Sequence, residues 1–300
     1  MLCGRDLVRR GNRHAMVRTV ASSPITDDIV AALDRHALRP RRLLALSPPT
    51  TRKRGRCLYR VDLEDRRTIK ARRLESAEAA AELSALRAGI DPAFTPVIAR
   101  HGPVLLEAWI DGTLLTDLDP DARAAEAGAL LARLHGTPAA AASTRAWRER
   151  AATELATVAA AGALDAGEAA AIAAALARHD PGSALTVLAH RDFCAENMVI
   201  DAGGRLHVVD NEWLTVAPAG LDLGHTFSRW PMSADAWGRF LHAYRSASPG
   251  DPGPLAFWKI VAALTSARIR LAKAPARLAV PLGLLRRFAA EPGDTLRDPP

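Results

Sequence analysis

The stretch "LAHRDFCAENMVI", Leu188–Ile200, sets charged and amide side chains between two apolar, strand-like runs. Val187-Leu188-Ala189 lead into it and Met198-Val199-Ile200 lead out. His190, Asp192 and Asn197 lie between them and are costly inside a buried strand, so the spacing predicts a loop there. Beyond Ile200 comes "DAGGR", Asp201–Arg205, and then "LHVVDNEW", Leu206–Trp213. A glycine-rich turn between two apolar runs is a hairpin signal, so Asn197 and Asp210 are expected at the two open ends of one hairpin.

Upstream, "TDDIVAALDRHAL" from Thr26 carries early acids and a helical apolar stripe. Short segments of alternating pattern follow, "RRLLALS", "RCLYRVDL" and "RTIKARRL", joined by turn-prone links. They read as a meander of strands. "SAEAAAELSALRAG" is a helix with Ser76 as N-cap and Gly89 at its exit. "FTPVIARHGPVLLEAWIDG" supplies two more strands and ends at Gly112. From Asp119 the character changes: "DPDARAAEAGALLARLHG" and the Ala-rich stretch Ala146–His179 are helical. The fold class is therefore α+β, with a small antiparallel-sheet N-lobe, a hinge near Glu107–Gly112 and a larger, mostly helical C-lobe.

The residue types explain one another chemically. His190-Arg191-Asp192, four intervening residues and then Asn197 fit the catalytic-loop pattern of kinases. Asp210 closes the next apolar strand, thirteen residues after Asn197. Asn197 and Asp210 offer the amide and carboxylate oxygens that Mg²⁺ takes alongside water and phosphate. Asp192 suits the carboxylate that orients a hydroxyl nucleophile and accepts its proton. Lys70, on a predicted N-lobe strand, suits a nucleotide's phosphates, and a helix glutamate would hold it in place. Arg72 shares the strand face of Lys70 and competes with it for that role. The implied chemistry is phosphoryl transfer with ATP, or another nucleoside triphosphate, and Mg²⁺.

"AHRDFCAENMVID", "HVVDNEW", "GLDLGHTF" and "LLARLHG" together resemble the aminoglycoside phosphotransferase / choline kinase family, from about Arg42 to Trp230. The resemblance implies a bilobal protein-kinase-like fold, with an N-lobe over residues 23–110 and a C-lobe over 111–290. It selects Glu82 as the partner of Lys70, with Glu78, one turn earlier, as the fallback. It places adenine against the hinge backbone around Glu107 and Trp109, and it gives Asp222 a role in bracing the catalytic loop. The chain departs from protein kinases in three ways. The expected phosphate-covering loop "SPPTTRKRG" lacks G-x-G-x-x-G, Asn211-Glu212 follow Asp210 in place of Phe-Gly, and only eleven residues separate Asp210 from Asp222. The implied function is phosphorylation of a hydroxyl on a small molecule. The alternatives are a non-catalytic kinase-like nucleotide binder and a basic nucleic-acid binder.

Composition narrows the choice. The formal charge of +7 rests mostly on arginines spread along the chain, without a nucleic-acid motif. Three cysteines without metal-ligand spacing suit a reduced, cytoplasmic protein. No run reaches the roughly 18 apolar residues of a membrane helix. Residues 1–22 read as a disordered basic tail, or as an over-long start ahead of Met16, and 291–300 as a second tail. Trp213, Trp230 and Trp237 read as core packing rather than a cage for a quaternary ammonium. Glu212 stands open between a place in the metal shell, a substrate contact and an exposed arginine partner.

Overall fold

The computed structural model describes residues 24–46, 56–138 and 145–290. The expected tails and the expected phosphate-covering loop, 47–55, lie outside the described residues. The chain divides into two compact units. One runs to Leu118 and also takes in Glu196–Leu214; the other comprises Asp119–Ala195 and the chain from Thr215 onward. The hairpin carrying Asn197 and Asp210 thus belongs to the sheet-rich unit, although the sequence assigns it to the helical C-lobe. No helix among the described residues is long and apolar enough to cross a membrane.

In the sheet-rich unit, α1 (Pro24–Arg35) precedes β1 (Pro40–Ala45), β2 (Cys57–Leu63) and β3 (Thr68–Arg73). Helix α2 (Ala77–Leu86) and strands β4 (Val97–His101) and β5 (Val104–Ala108) follow. The sheet order is β1-β2-β3-β5-β4, antiparallel throughout. Ile29, Ala32 and Leu33 recur at helical spacing on α1 and bury against Tyr59, Val61, Ile69, Ala71, Val104 and Leu106. Because side chains alternate along a strand, this core fixes the opposite face of the sheet. Lys70 and Arg72 of β3 and Glu107 of β5 fall on that opposite face. Ser76 caps α2 as expected, its hydroxyl accepting from the Ala79 N–H at 3.1 Å, and Gly89 leaves the helix at φ +78°.

A second, small sheet has the order β6-β8-β9, formed by Thr113–Leu114, Met198–Ile200 and Leu206–Val208. Its turn is the expected one: the Asp201 carboxylate accepts the N–H groups of Gly203 at 2.9 Å and Arg205 at 3.0 Å. Backbone bonds tie this hairpin to its own unit, from Thr95 N–H to Val208 O at 3.0 Å and from Val208 N–H to Ala93 O at 2.8 Å.

The helical unit contains α3 (Ala124–His135), α4 (Arg145–Ala160) and α5 (Ala166–Arg178), then a two-strand ribbon of β7 (Thr186–Ala189) and β10 (Thr215–Pro218). It continues with α6 (Ala219–Arg229), α7 (Ala234–Ala247), α8 (Leu255–Lys273) and α9 (Ala279–Ala290). Trp230, Trp237, Trp258, Phe227, Phe240 and Phe288 fill its core. Trp237 stacks on Phe240 with ring centroids 5.3 Å apart, which is the core-packing role expected for it. Cys57 and Cys194 are buried and not joined in a disulfide.

Helices α6 and α8 approach closely at two glycines one turn apart. A Cβ on Gly220 would lie 2.0 Å from Trp258 Cδ1, and one on Gly224 would lie 2.3 Å from the Trp258 carbonyl oxygen. The second obstacle is backbone and does not swing aside. Gly224→Ala should therefore cost about 1–3 kcal/mol through overpacking. Its thermal unfolding temperature should fall measurably, and an unchanged value would show that the helices yield.

Candidate active site

The buried face of the five-stranded sheet carries an unusual concentration of charge. Lys70 and Glu107 lie directly opposite each other on β3 and β5, a register that brings cross-strand side chains within reach. Lys70 Nζ is 3.2 Å from Glu107 Oε2, and Arg72 Nε is 3.3 Å from the same oxygen. Arg87, at the C-cap of α2, binds the other carboxylate oxygen and also donates to the Thr95 carbonyl. Glu107 is 0% exposed. Burial would push its carboxyl up, but Lys70, Arg72 and Arg87 hold it well below the usual carboxylate range. Burial lowers the Lys70 ammonium, and Glu107 offsets part of that.

This arrangement differs from the helix-glutamate partner expected for Lys70. Lys70 pairs with Glu107, whereas Glu82 is exposed on α2, whose buried residues are Ala80 and Leu83. Glu78 is also exposed and bonds within the first turn, to its own backbone and to Ser76. The Glu107 side chain serves as counter-ion to three cations. Beside it the Ala108 N–H donates to the Pro96 carbonyl at 3.0 Å. Trp109 is half-buried, with the Arg60 guanidinium 4.9 Å from its ring centroid and its Nε1 donating to Asp111 at 2.9 Å.

Arg72 reaches further than Lys70. Its Nη2 donates to Asp210 Oδ1 at 2.6 Å and its Nη1 binds Glu212. Arg56 also donates to Glu212, at 3.0 Å, and lies over the Trp213 ring at 4.9 Å. The open reading of Glu212 thus resolves, in this structure, to an arginine partner. Val209 N–H donates to the Asn197 carbonyl at 2.8 Å, which closes the hairpin so that Asn197 and Asp210 leave it at the same end. Asp210 holds a left-handed backbone, φ +64°, a conformation costing a non-glycine residue on the order of 1 kcal/mol or more and often kept at functional positions. Burial would raise the Asp210 carboxyl, but Arg72 and then Lys70 bring it below its ordinary value.

In the helical unit, one face of α6 grips the loop that carries Asp192. Asp222, His225, Thr226 and Arg229 recur at the spacing that lines up one side of a helix. The Asp222 carboxylate accepts the backbone N–H groups of His190 at 2.6 Å and Arg191 at 2.5 Å. His225 Nδ1 is 3.1 Å from the Arg191 carbonyl, and Thr226 Oγ1 donates to the Phe193 carbonyl at 2.8 Å. Arg229 forms an ion pair with Asp192 itself. Arg191 is held at φ +65°. His190 is fully buried and its Nδ1 accepts from the Asp192 N–H at 3.3 Å. This places His190 beneath the loop as a support.

Asp222 is anchored from behind. His135 of α3 sets Nε2 3.1 Å from Asp222 and Nδ1 2.8 Å from the Tyr244 hydroxyl. Burial would raise the Asp222 carboxyl, but the His135 bond and the neighbouring His135 and His190 lower it on balance. Burial also pushes the Tyr244 hydroxyl up to about 12, so it stays a donor. The sequence reading missed Arg229, His225, Thr226 and Arg87. The first three had a signal, since they fall on the α6 face of Asp222; Arg87 had none.

Among curated proteins none matches this sequence. Solved structures do match in fold. Macrolide 2'-phosphotransferase MphH from Brachybacterium faecium has 18% identity and a TM-score of 0.63, covering 89% of this chain and 99% of its own. Choline kinase LicA from Streptococcus pneumoniae has 12% identity and a TM-score of 0.62, covering 88% and 99%. A choline/ethanolamine kinase family protein from Mesorhizobium loti has 20% identity and a TM-score of 0.60, covering 89% and 96%. At these identities the likeness shows the fold, which is protein-kinase-like. The model of the phosphotransferase enzyme family (APH) matches residues 70–258, well over half of the sequence, and the chain belongs to that family.

Proposed function

We propose that this protein transfers a phosphoryl group from ATP, with Mg²⁺, to a hydroxyl of a small molecule. The observation that carries the reading is the hairpin end holding Asn197 and Asp210, with Arg72 bound to Asp210 and Lys70 one strand position pair away. These residues fit a hydrated divalent ion: both offer hard oxygen donors. Among the described residues no three His, Cys, Asp or Glu gather into a metal cage. Mg²⁺ commonly takes one or two protein oxygens and draws the rest from phosphate and water. Asn197 and Asp210 would hold it, and when bound it neutralises the developing charge on the phosphates.

The chain's own residues supply the rest. Asp192 accepts the proton of the attacking hydroxyl as the new O–P bond forms and the bond to the nucleoside diphosphate breaks. Asp222, His225 and Thr226 fix the backbone that carries Asp192, so its carboxylate is oriented before the acceptor arrives. Lys70 offers a compact charge to the nucleotide's phosphates, and Glu107 fixes its position. The hinge around Glu107 and Trp109 contributes backbone, not the Glu107 carboxylate, to the base.

The acceptor is best read as a neutral or anionic hydroxylated metabolite, sugar or natural product. Arg229 already lies on Asp192. From Phe257 to Ala290, spanning α8 and α9, the sequence has no acidic residue but several arginines. A polycation would gain no steering from such a surface.

The following outcomes test this reading and the site it rests on. Asp192→Asn should keep nucleotide binding and lose roughly 10²–10⁴-fold in kcat; wild-type kcat on the true acceptor would remove Asp192 from the role. Asp210→Ala should abolish the extra thermal stabilisation that Mg²⁺ adds to ATP, and an undiminished shift would contradict the metal assignment. Glu107→Gln strands buried cations and should cost about 3–5 kcal/mol in denaturant unfolding. Glu82→Ala should stay within about 0.5 kcal/mol, so comparable losses would return the Lys70 anchor to α2. Kanamycin-type aminoglycosides should be poor acceptors, and a kcat/KM above about 10⁴ M⁻¹s⁻¹ for any of them would overturn the charge argument.

A further inference from the structure

Arg72 is shared among three carboxylates, and two of them have a second cation. Glu107 keeps Lys70 at 3.2 Å and also Arg87. Glu212 keeps Arg56 at 3.0 Å, and Arg56 is itself held over Trp213 and lies 3.5 Å from Glu75. Among the described residues the ion pair of Asp210 is with Arg72, at 2.6 Å. If Arg72 turned away, Glu107 and Glu212 would remain ion-paired, and Asp210 would keep only the longer-range attraction of Lys70. The guanidinium can turn without losing charge, because arginine stays protonated even when buried. Its planar fork binds phosphate oxygens as well as carboxylates.

The geometry points to Arg72 as an exchange residue that holds Asp210 until nucleotide arrives. This inference rests on the nucleotide and metal site proposed above. Arg72 occupies the Asp210 carboxylate, so a divalent ion binds weakly by itself. The phosphates of the nucleotide draw Arg72 away, Asp210 becomes available to the ion, and Arg56, Lys70 and Arg87 keep the other two carboxylates neutralised. Ion and nucleotide then bind with positive coupling, which by linkage must be reciprocal. Arg72 is in this sense a positioning residue for the metal ligand.

The test uses full-length protein and Mn²⁺ as the probe, followed by water-proton relaxation enhancement, which responds to protein-bound ion. Wild type should bind Mn²⁺ poorly alone and far more tightly with a non-hydrolysable ATP analogue. Arg72→Gln should bind Mn²⁺ alone about tenfold or more tightly than wild type, and the analogue should add much less. Wild-type Mn²⁺ affinity and undiminished coupling in Arg72→Gln would overturn the exchange while leaving the site reading intact. No Mn²⁺ binding by wild type even with the analogue would sink both. A crystal structure of wild type with Mn²⁺ and the analogue guards against a variant that fails to fold. The exchange predicts that the Arg72–Asp210 contact is broken there, and its retention would overturn the idea.

Discussion

Burying the Glu107 carboxylate is the constraint from which the sheet-rich half of the site follows. An isolated carboxylate out of water costs far more than a domain's net stability, so it must be paired or neutralised. Pairing it here requires β3 to lie against β5 in the one register that sets Lys70 opposite Glu107. A slip of one residue would send Lys70 and Arg72 into the apolar face now held by Ile69 and Ala71. The same carboxylate pins Arg87, and with it the end of α2 and the strand entry at Thr95. With two of the three cations committed to Glu107, Arg72 extends its remaining nitrogens toward Asp210 and Glu212. Position in the core, sheet register and the aim of Arg72 are one linked problem.

Asp222 solves the same problem by different means. It is equally buried, but its main partners are two backbone N–H groups and a histidine rather than a ring of fixed cations. Backbone donors hold the loop's shape, whereas long cationic side chains can change partners. That difference suits the two tasks. In the proposed reaction the loop bearing Asp192 presents a carboxylate in a fixed orientation, which its main-chain hydrogen bonds to one helix face would secure. Under the exchange proposed for Arg72, Asp210 changes counter-ions, and it is bound by a side chain with other acids to hold.

Much of this was legible in the sequence because it is local. The His190–Asn197 loop, the Asp201–Arg205 turn and the Ser76 cap depend on residues a few positions apart, and periodicity and turn chemistry reveal them. The ion pairs are not local: Lys70 and Glu107 are brought together by strand pairing, which no spacing rule announces. Choosing Glu82 among the helix glutamates followed family resemblance, whereas the register of this sheet sets Glu107 beside Lys70. The α6 face was the legible signal left unread, since Asp222, His225, Thr226 and Arg229 stand at helical intervals in plain sequence. Arg87 could not be singled out, because a chain so rich in arginine offers no way to tell a buried, bridging one from a solvated one.

That richness has its own physical logic. Only four of the 40 lysine and arginine residues are lysines, and two of those, Lys70 and Lys259, are buried. Lysine is the cation whose charge burial readily depresses, and Lys70 is shifted that way. Its compact ammonium also suits confined places: Lys259 lies 3.8 Å from the Phe227 ring centroid, within the aromatic core. Arginine keeps its charge in the same surroundings and can divide it among several oxygens, as Arg72 does across three carboxylates. A chain that needs buried cations able to bridge acids, and to be reassigned without deprotonating, gains from arginine at those positions.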